Sequence, residues 1–335
     1  MTVPKIPEID NPASLCTVLA PGPSQSIHTQ AVKDRWWSGE GPRRYTQQPA
    51  AGCSYDEDLN WLQHCPTLAR DSSLVVEKMQ STFPVRQHMV KEGRTASDIL
   101  EQFPCFETVP GLIEEDFRKM FPENHSRFLT KWPELKPRVV ALARQLLKQN
   151  GNLTVMELLS SFDSSDQNKE GIFAHSLELN LTLQHKSGTS SILLLLCLLP
   201  PASQGRSKAA SAKVSISSAI SRIIQFQKSG GSIQDFLDGT KQTQSQPFLL
   251  GIGNSKACIS SDLLIVDHKA IPCGARTVEG AVDELFKTHF VFGLHYCQSL
   301  HQFWTFIQTA VFEIDVGVSC ESPRVRELRS KLFTP

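Results

Sequence analysis

The sequence predicts an α+β protein: a disordered arm, a segment of short helices, then a mixed α/β sheet domain. Three observations carry this. Residues 1–54 hold seven prolines and four glycines among Ser, Thr and Gln, with no sustained period. From about 55 to 165 apolar residues recur at helical spacing. From 172 to 335 alternating and unbroken apolar runs give strand signals between helical ones.

The arm is interrupted only by Lys33-Asp-Arg-Trp-Trp-Ser, read as a short turn. In the helical segment, Leu74, Val75, Met79 and Phe83 share one face behind Asp71-Ser72-Ser73, which can cap it. Pro84 reads as the first residue of a second helix carrying Val85, Met89 and Val90, ended by Gly93. Thr95 or Ser97 can cap Ile99-Leu100-Phe103, which stops at Pro104. Leu112, Ile113, Phe117, Met120 and Phe121 form another helix before Pro122. Pro137 is expected to open the last helix of the segment, with Gly151 just past its end.

The polar run Ser160 to Gly171 reads as a linker. Beyond it Leu177, Leu179, Leu181 and Leu183 alternate with Glu178, Asn180 and Thr182, the pattern of a half-buried strand. Ile192 to Leu199, apolar without a break and followed by Pro-Pro, reads as a doubly buried central strand. Phe248–Ile252 and Leu263–Val266 are two more strands. Helices are expected at Val214–Phe226, Ile233–Leu237, Val278–Phe292, Tyr296–Val311 and Pro323–Phe333.

Composition narrows the class. Lys and Arg number 34 against 34 Asp and Glu, so the chain is not polybasic and not an acidic solvating tail. The longest apolar run has eight residues, Ile192 to Leu199, far short of the roughly 20 that span a bilayer. Without a signal-like start, and with nine widely spaced cysteines, the expected compartment is reducing, cytoplasmic or nuclear.

The motifs that carry chemistry are sparse, and each has a structural reading beside it. Gly251-Ile-Gly253 lacks the third glycine and the Lys-Ser/Thr of a phosphate loop, and reads as a tight turn between strands. Ser229-Gly-Gly-Ser reads as a helix stop. Cys273, His289, His295, Cys297 and His301 crowd together, but without the paired ligand spacing of a zinc site they read as core, and no metal or other cofactor is expected. Asp267-His268, at the end of a strand with Cys273 five residues on, is the one pair suggesting a catalytic group. Charge is unevenly placed. Between Leu179 and Gln234 there is no Asp or Glu, while Arg206, Lys208, Lys213, Arg222 and Lys228 fall there. Arg324, Arg326, Arg329 and Lys331 follow near the C-terminus with only Glu327 to offset them. These cations are candidates for an anionic partner.

Val76-Glu-Lys-Met-Gln-Ser-Thr-Phe-Pro-Val-Arg-Gln, Ile99-Leu-Glu-Gln-Phe-Pro and Glu115-Asp-Phe-Arg-Lys-Met-Phe carry a resemblance. So do Gln246-Pro-Phe-Leu-Leu, Val278-Glu-Gly-Ala-Val-Asp-Glu-Leu-Phe-Lys and Phe303-Trp-Thr-Phe-Ile-Gln. Over about residues 60 to 334 the chain resembles an uncharacterised, fish-expanded vertebrate family, some members of which carry a sterile alpha motif domain. The resemblance implies no catalytic residue. The first 60 residues are too short and too rich in Pro and Gly for that five-helix domain.

The expected function is therefore non-enzymatic protein–protein interaction, adaptor-like, with other proteins as partners and no membrane. The alternatives are nucleic-acid binding through 206–228 and the last helix, and an enzyme using Asp267, His268 or Cys273.

Overall fold

The computed structural model describes residues 55–64, 72–147, 153–163, 183–200, 215–240, 246–255 and 258–333. Among them lie thirteen α-helices and one four-stranded mixed sheet, an α+β architecture. The arm, the paired Trp36-Trp37, Gly151, and Arg206, Lys208 and Lys213 lie outside the described residues.

The first helices follow their sequence signals. They are α1 (Asp56–His64), α2 (Ser72–Ser81), α3 (Phe83–Lys91) and α4 (Ala96–Gln102), followed by a 3₁₀ turn (Pro104–Glu107) and α5 (Leu112–Met120). Pro84 sits in the first turn of α3, where its missing N–H is not needed. Gly93, at φ 78°, turns the chain after α3 in the left-handed region that glycine adopts without strain. Thr95 caps α4 in a full capping box: its hydroxyl accepts from the Asp98 N–H, and Asp98 accepts from the Thr95 N–H.

Helix α6 (Arg127–Leu147) corrects the expectation that Pro137 opens a helix, because Pro133 and Pro137 both lie inside its 21 residues. Each proline frees a carbonyl one turn back, but both side chains are exposed and four residues apart, so those carbonyls fall on the wet side. Helix α7 (Leu153–Asp163) takes in Ser160 to Asp163, the start of the expected linker.

The largest correction concerns Ile192–Leu199. It is not a strand but the core of α8 (Leu183–Leu198), with Leu193 to Leu199 all at most 4% exposed. A helix buried on every side has no amphipathic period, so an unbroken apolar run cannot distinguish it from a central strand. Helices α6, α7 and α11 surround it. Leu183 opens this helix rather than closing a strand, and residues 177–182 lie outside the described residues.

The expected helix Val214–Phe226 is also divided. Helix α9 stops at Ile216–Ile220, and Ile224–Lys228 is strand β1. Ser229-Gly-Gly-Ser therefore ends a strand, with Gly230 at φ 86°. Next come α10 (Ile233–Thr240), β2 (Phe248–Ser255), β3 (Cys258–Val266) and β4 (Lys269–Pro272). The order is β1-β2-β3-β4, with β1 parallel to β2 and the other pairs antiparallel. A parallel neighbour needs a crossover, which α10 supplies. Gly251 and Gly253 are not a turn: they lie within β2, where the register shifts at Ile252/Gly253 and Gly253/Ser255. A Cβ at Gly251 would come within 3.0 Å of Ile259, so the glycine lets β3 close in.

Alternation along the strands builds two cores. Ile224, Leu249, Leu264, Val266 and Ile271 join the main helical core. Phe248, Leu250 and Ile265 point the other way and pack with Leu237 of α10. Helix α11 (Val278–Val291) crosses the main core, and α12 (His301–Phe306) runs into a π-helical turn (Ile307–Val311), before α13 (Pro323–Phe333). The expected helix Tyr296–Val311 thus starts five residues late and ends as a wider turn. Phe286 stacks on Phe312 at 4.3 Å, with Phe117 edge-on to both.

Candidate functional site

The densest chemistry in the described chain sits on α11, which is buried from Gly280 to Val291. Its one ammonium, Lys287, is 1% exposed. It donates to Asp283 one turn back (2.5 Å) and to Glu114 in the first turn of α5, and faces the rings of Phe117 and Phe312. Glu114 turns its other oxygen to His125, 2.9 Å away, so the chain of polar contacts reaches the half-exposed surface. Burial pushes the Asp283 carboxyl up to about 7, against the pull of Lys287. Asp283 Oδ1 and Glu284 Oε1 are buried with no hydrogen-bond partner.

Glu284 faces a second group. Its Oε2 accepts from the Gly274 N–H (2.9 Å) and the Cys273 thiol (3.1 Å). Position 274 is pressed against α5, since a Cβ there would sit 3.1 Å from the Gly111 nitrogen. Burial raises the Glu284 carboxyl, and burial with the Glu284 charge raises the Cys273 thiol far above its ordinary value. A thiol held protonated is a poor nucleophile.

Asp267 and His268, at φ 49° and 65°, are the two central residues of the β3–β4 hairpin, between paired Val266 and Lys269. Two left-handed residues in a two-residue loop are what a type I′ turn needs. Asp267 accepts from the Ser97 N–H (3.1 Å), which ties the hairpin tip to the first turn of α4. Beside it Lys269 pairs with Glu107. The turn thus spends Asp267 on positioning, and Cys273 turns instead to α11; no hydrogen bond among the described residues joins Asp267, His268 and Cys273.

The histidines and cysteines near the C-terminus divide among separate contacts. His289 lies against the rings of Tyr296 and Trp304, donating from Nδ1 to the Leu285 carbonyl, and burial lowers it to about 4. His301 contacts Thr305, and Cys297 contacts Ser299. Among the described residues no group of three or more His, Cys, Asp or Glu is arranged to hold a metal ion.

Of the predicted basic residues, Arg222, Lys228, Arg324, Arg326 and Arg329 lie among the described residues. Arg324 donates to the Leu198 carbonyl at the end of α8, and Arg329 pairs with Glu321. Arg222 is half-buried, while Lys228 and Arg326 are exposed.

The most completely buried ion pair belongs to the early helices. Arg86 of α3 meets Asp116 of α5 with both Nε and an Nη at 2.7 Å, and also donates to the Thr82 hydroxyl and the Met79 carbonyl. Its guanidinium lies 4.8 Å over Phe103. The two side chains are 1% and 3% exposed. This knot ties α2, α3, Phe103 at the end of α4 and Phe106 of the 3₁₀ turn to α5. It is within those helices that a known protein is matched. Residues 57–108 match the helical domain of sterile alpha motif domain-containing protein 3. The match relates this segment to proteins that carry a sterile alpha motif, and it starts and stops within one residue of α1 and the 3₁₀ turn. No curated protein and no solved structure matches the chain. Among the described residues no helix is long and apolar enough to cross a membrane.

Sequence reasoning missed Arg86–Asp116 and Lys287–Asp283. The second had a signal, an Asp and a Lys four apart on a helix, but that spacing is ordinary on a solvated face. The first joins residues 30 apart and had none.

Proposed function

We propose that this chain is an adaptor-like, non-enzymatic protein that binds other proteins through the outer face of the matched helical domain. The observation that carries the reading is the match over 57–108, placed on helices whose inner side is locked by Arg86–Asp116. The outer side is polar and wet: His88, Lys91, Glu92 and Arg94 are exposed around the end of α3. A fixed backbone presenting a charged rim is suited to recognising a partner without paying ordering entropy at each contact. The reactive groups fit the same reading, since Cys273 is held as a thiol and Asp267 is occupied in a turn.

The test is quantitative co-purification from cells with the full chain as bait. Comparison baits carry Lys91→Glu with Arg94→Glu, or Arg326→Glu on α13. The reading expects a reproducible protein partner that the first pair of changes removes and the α13 change leaves. No reproducible partner, or one indifferent to the rim of α3, counts against it.

A further inference from the structure

Three carboxyl groups surround a single ammonium in the centre of this molecule. Glu114, Asp283 and Glu284 all act on Lys287 or on each other, and Lys287 is 1% exposed. The other elements packed on α11 bring little relief. From α6, Lys136 pairs with Glu279 at the start of α11 (3.5 Å). The described side chains of α8, and those of β2, bring no charged group. On the remaining side stand the neutral Cys273 thiol, with Asp262 acting on it, and His125 beyond Glu114.

In an interior of low effective dielectric, one positive charge cannot hold three negative ones. The geometry also says which is given up. Glu114 keeps its contact with water and with His125, and Glu284 has two donors on one oxygen. Asp283 is 5% exposed, has Lys287 as its hydrogen-bonding partner, and leaves Oδ1 without any.

We infer that this cluster is a pH-sensitive latch between α5 and α11, closed while Asp283 holds a proton and loosened when that proton leaves. Ionising Asp283 adds a negative charge beside Glu114 and Glu284 with no new cation to meet it. Both helices feel it, because Lys287 is shared between them. The sign follows from the direction of the shift: the carboxyl is raised from 3.8 to about 7 on folding. Its stabilising contribution is complete below the unfolded value and is lost as pH rises through about 7. The latch therefore loosens as pH rises toward about 7 and is fully loosened above it, within the range a cell can reach.

Hydrogen exchange of the full chain, read on peptides covering α5 and α11 and corrected for intrinsic rates, tests this. Between about pH 6 and about pH 8 the opening constant of these peptides should rise on the order of tenfold, the ratio a single group titrating near 7 produces. Asp283→Asn should flatten that rise while keeping the shape of the side chain. Glu114→Gln should move its midpoint to lower pH, because a neutral neighbour makes Asp283 easier to ionise. If Asp283→Asn does not fold, the Glu114→Gln midpoint decides. A rise that survives Asp283→Asn, a midpoint that Glu114→Gln leaves in place, or no rise in the wild-type chain would overturn the inference.

Discussion

In α13, Val325, Leu328 and Leu332 face the core while Arg326, Glu327 and Lys331 stay in water; in α11 the core closes around Asp283, Glu284, Lys287 and His289 as well. Both helices carry charges of both signs within a few residues. On α13 water and short surface pairs such as Lys331–Glu327 absorb them, at distances where solvent screens most of the attraction. On α11 the Lys287 ammonium has lost its hydration and depends on Asp283 and Glu114, so removing a partner leaves a buried charge poorly met. The difference teaches that charge on a helix marks solvent only when something apolar is concentrated on the other face.

The first way to break that comparison is at the most buried pair. Asp116→Ala strands the Arg86 guanidinium among Phe103, Met79 and Thr82, and should cost about 3–5 kcal/mol in denaturant unfolding. A loss comparable to that of a surface pair would show that burial is not what distinguishes the two kinds of helix. Leu285→Ala, on the 0% exposed stripe of α11, should cost about 2–5 kcal/mol, scaling with the cavity left behind. Thr95→Ala removes the hydroxyl half of the α4 capping box and should cost about 1 kcal/mol. On α13, Glu327→Gln should leave the unfolding midpoint where it is, since its pair with Lys331 stands in water. Labelled DNA and RNA, titrated at two salt concentrations, address the remaining cations of α13. With Arg324 and Arg329 engaged internally, no saturable binding that weakens steeply with salt is expected. Finding it would favour the nucleic-acid alternative.

The short helices were legible because their boundaries are written in local chemistry. Pro84 in a first turn and Gly93 after a last one act within four residues and stand where they were read, and of the two cap candidates Thr95 is the one used. The strands at Phe248 and Leu263 were legible as elements, but their pairing and the crossover through α10 were not. Of the candidate site residues, Asp267 and His268 were seen correctly as the end of a strand. Their left-handed turn and the bond from Asp267 to Ser97 depend on a helix 170 residues away in sequence. Leucine supplied an unused signal in α8: five of its residues from Leu193 to Leu198 are leucine and none is β-branched, which favours helix over strand.

The sequence by itself determined the α+β class, the caps and breaks of the early helices, and the absence of acidic residues between Leu179 and Gln234. These are properties of composition, or of residues within a turn of one another. Only the tertiary structure decided that Ile192–Leu199 is helix, that Phe226 belongs to a strand, and that Lys287 is buried between α5 and α11. A residue's surroundings in the core come from segments far along the chain. An apolar run buried on all sides carries no period, and a charged residue carries no mark of whether water will reach it.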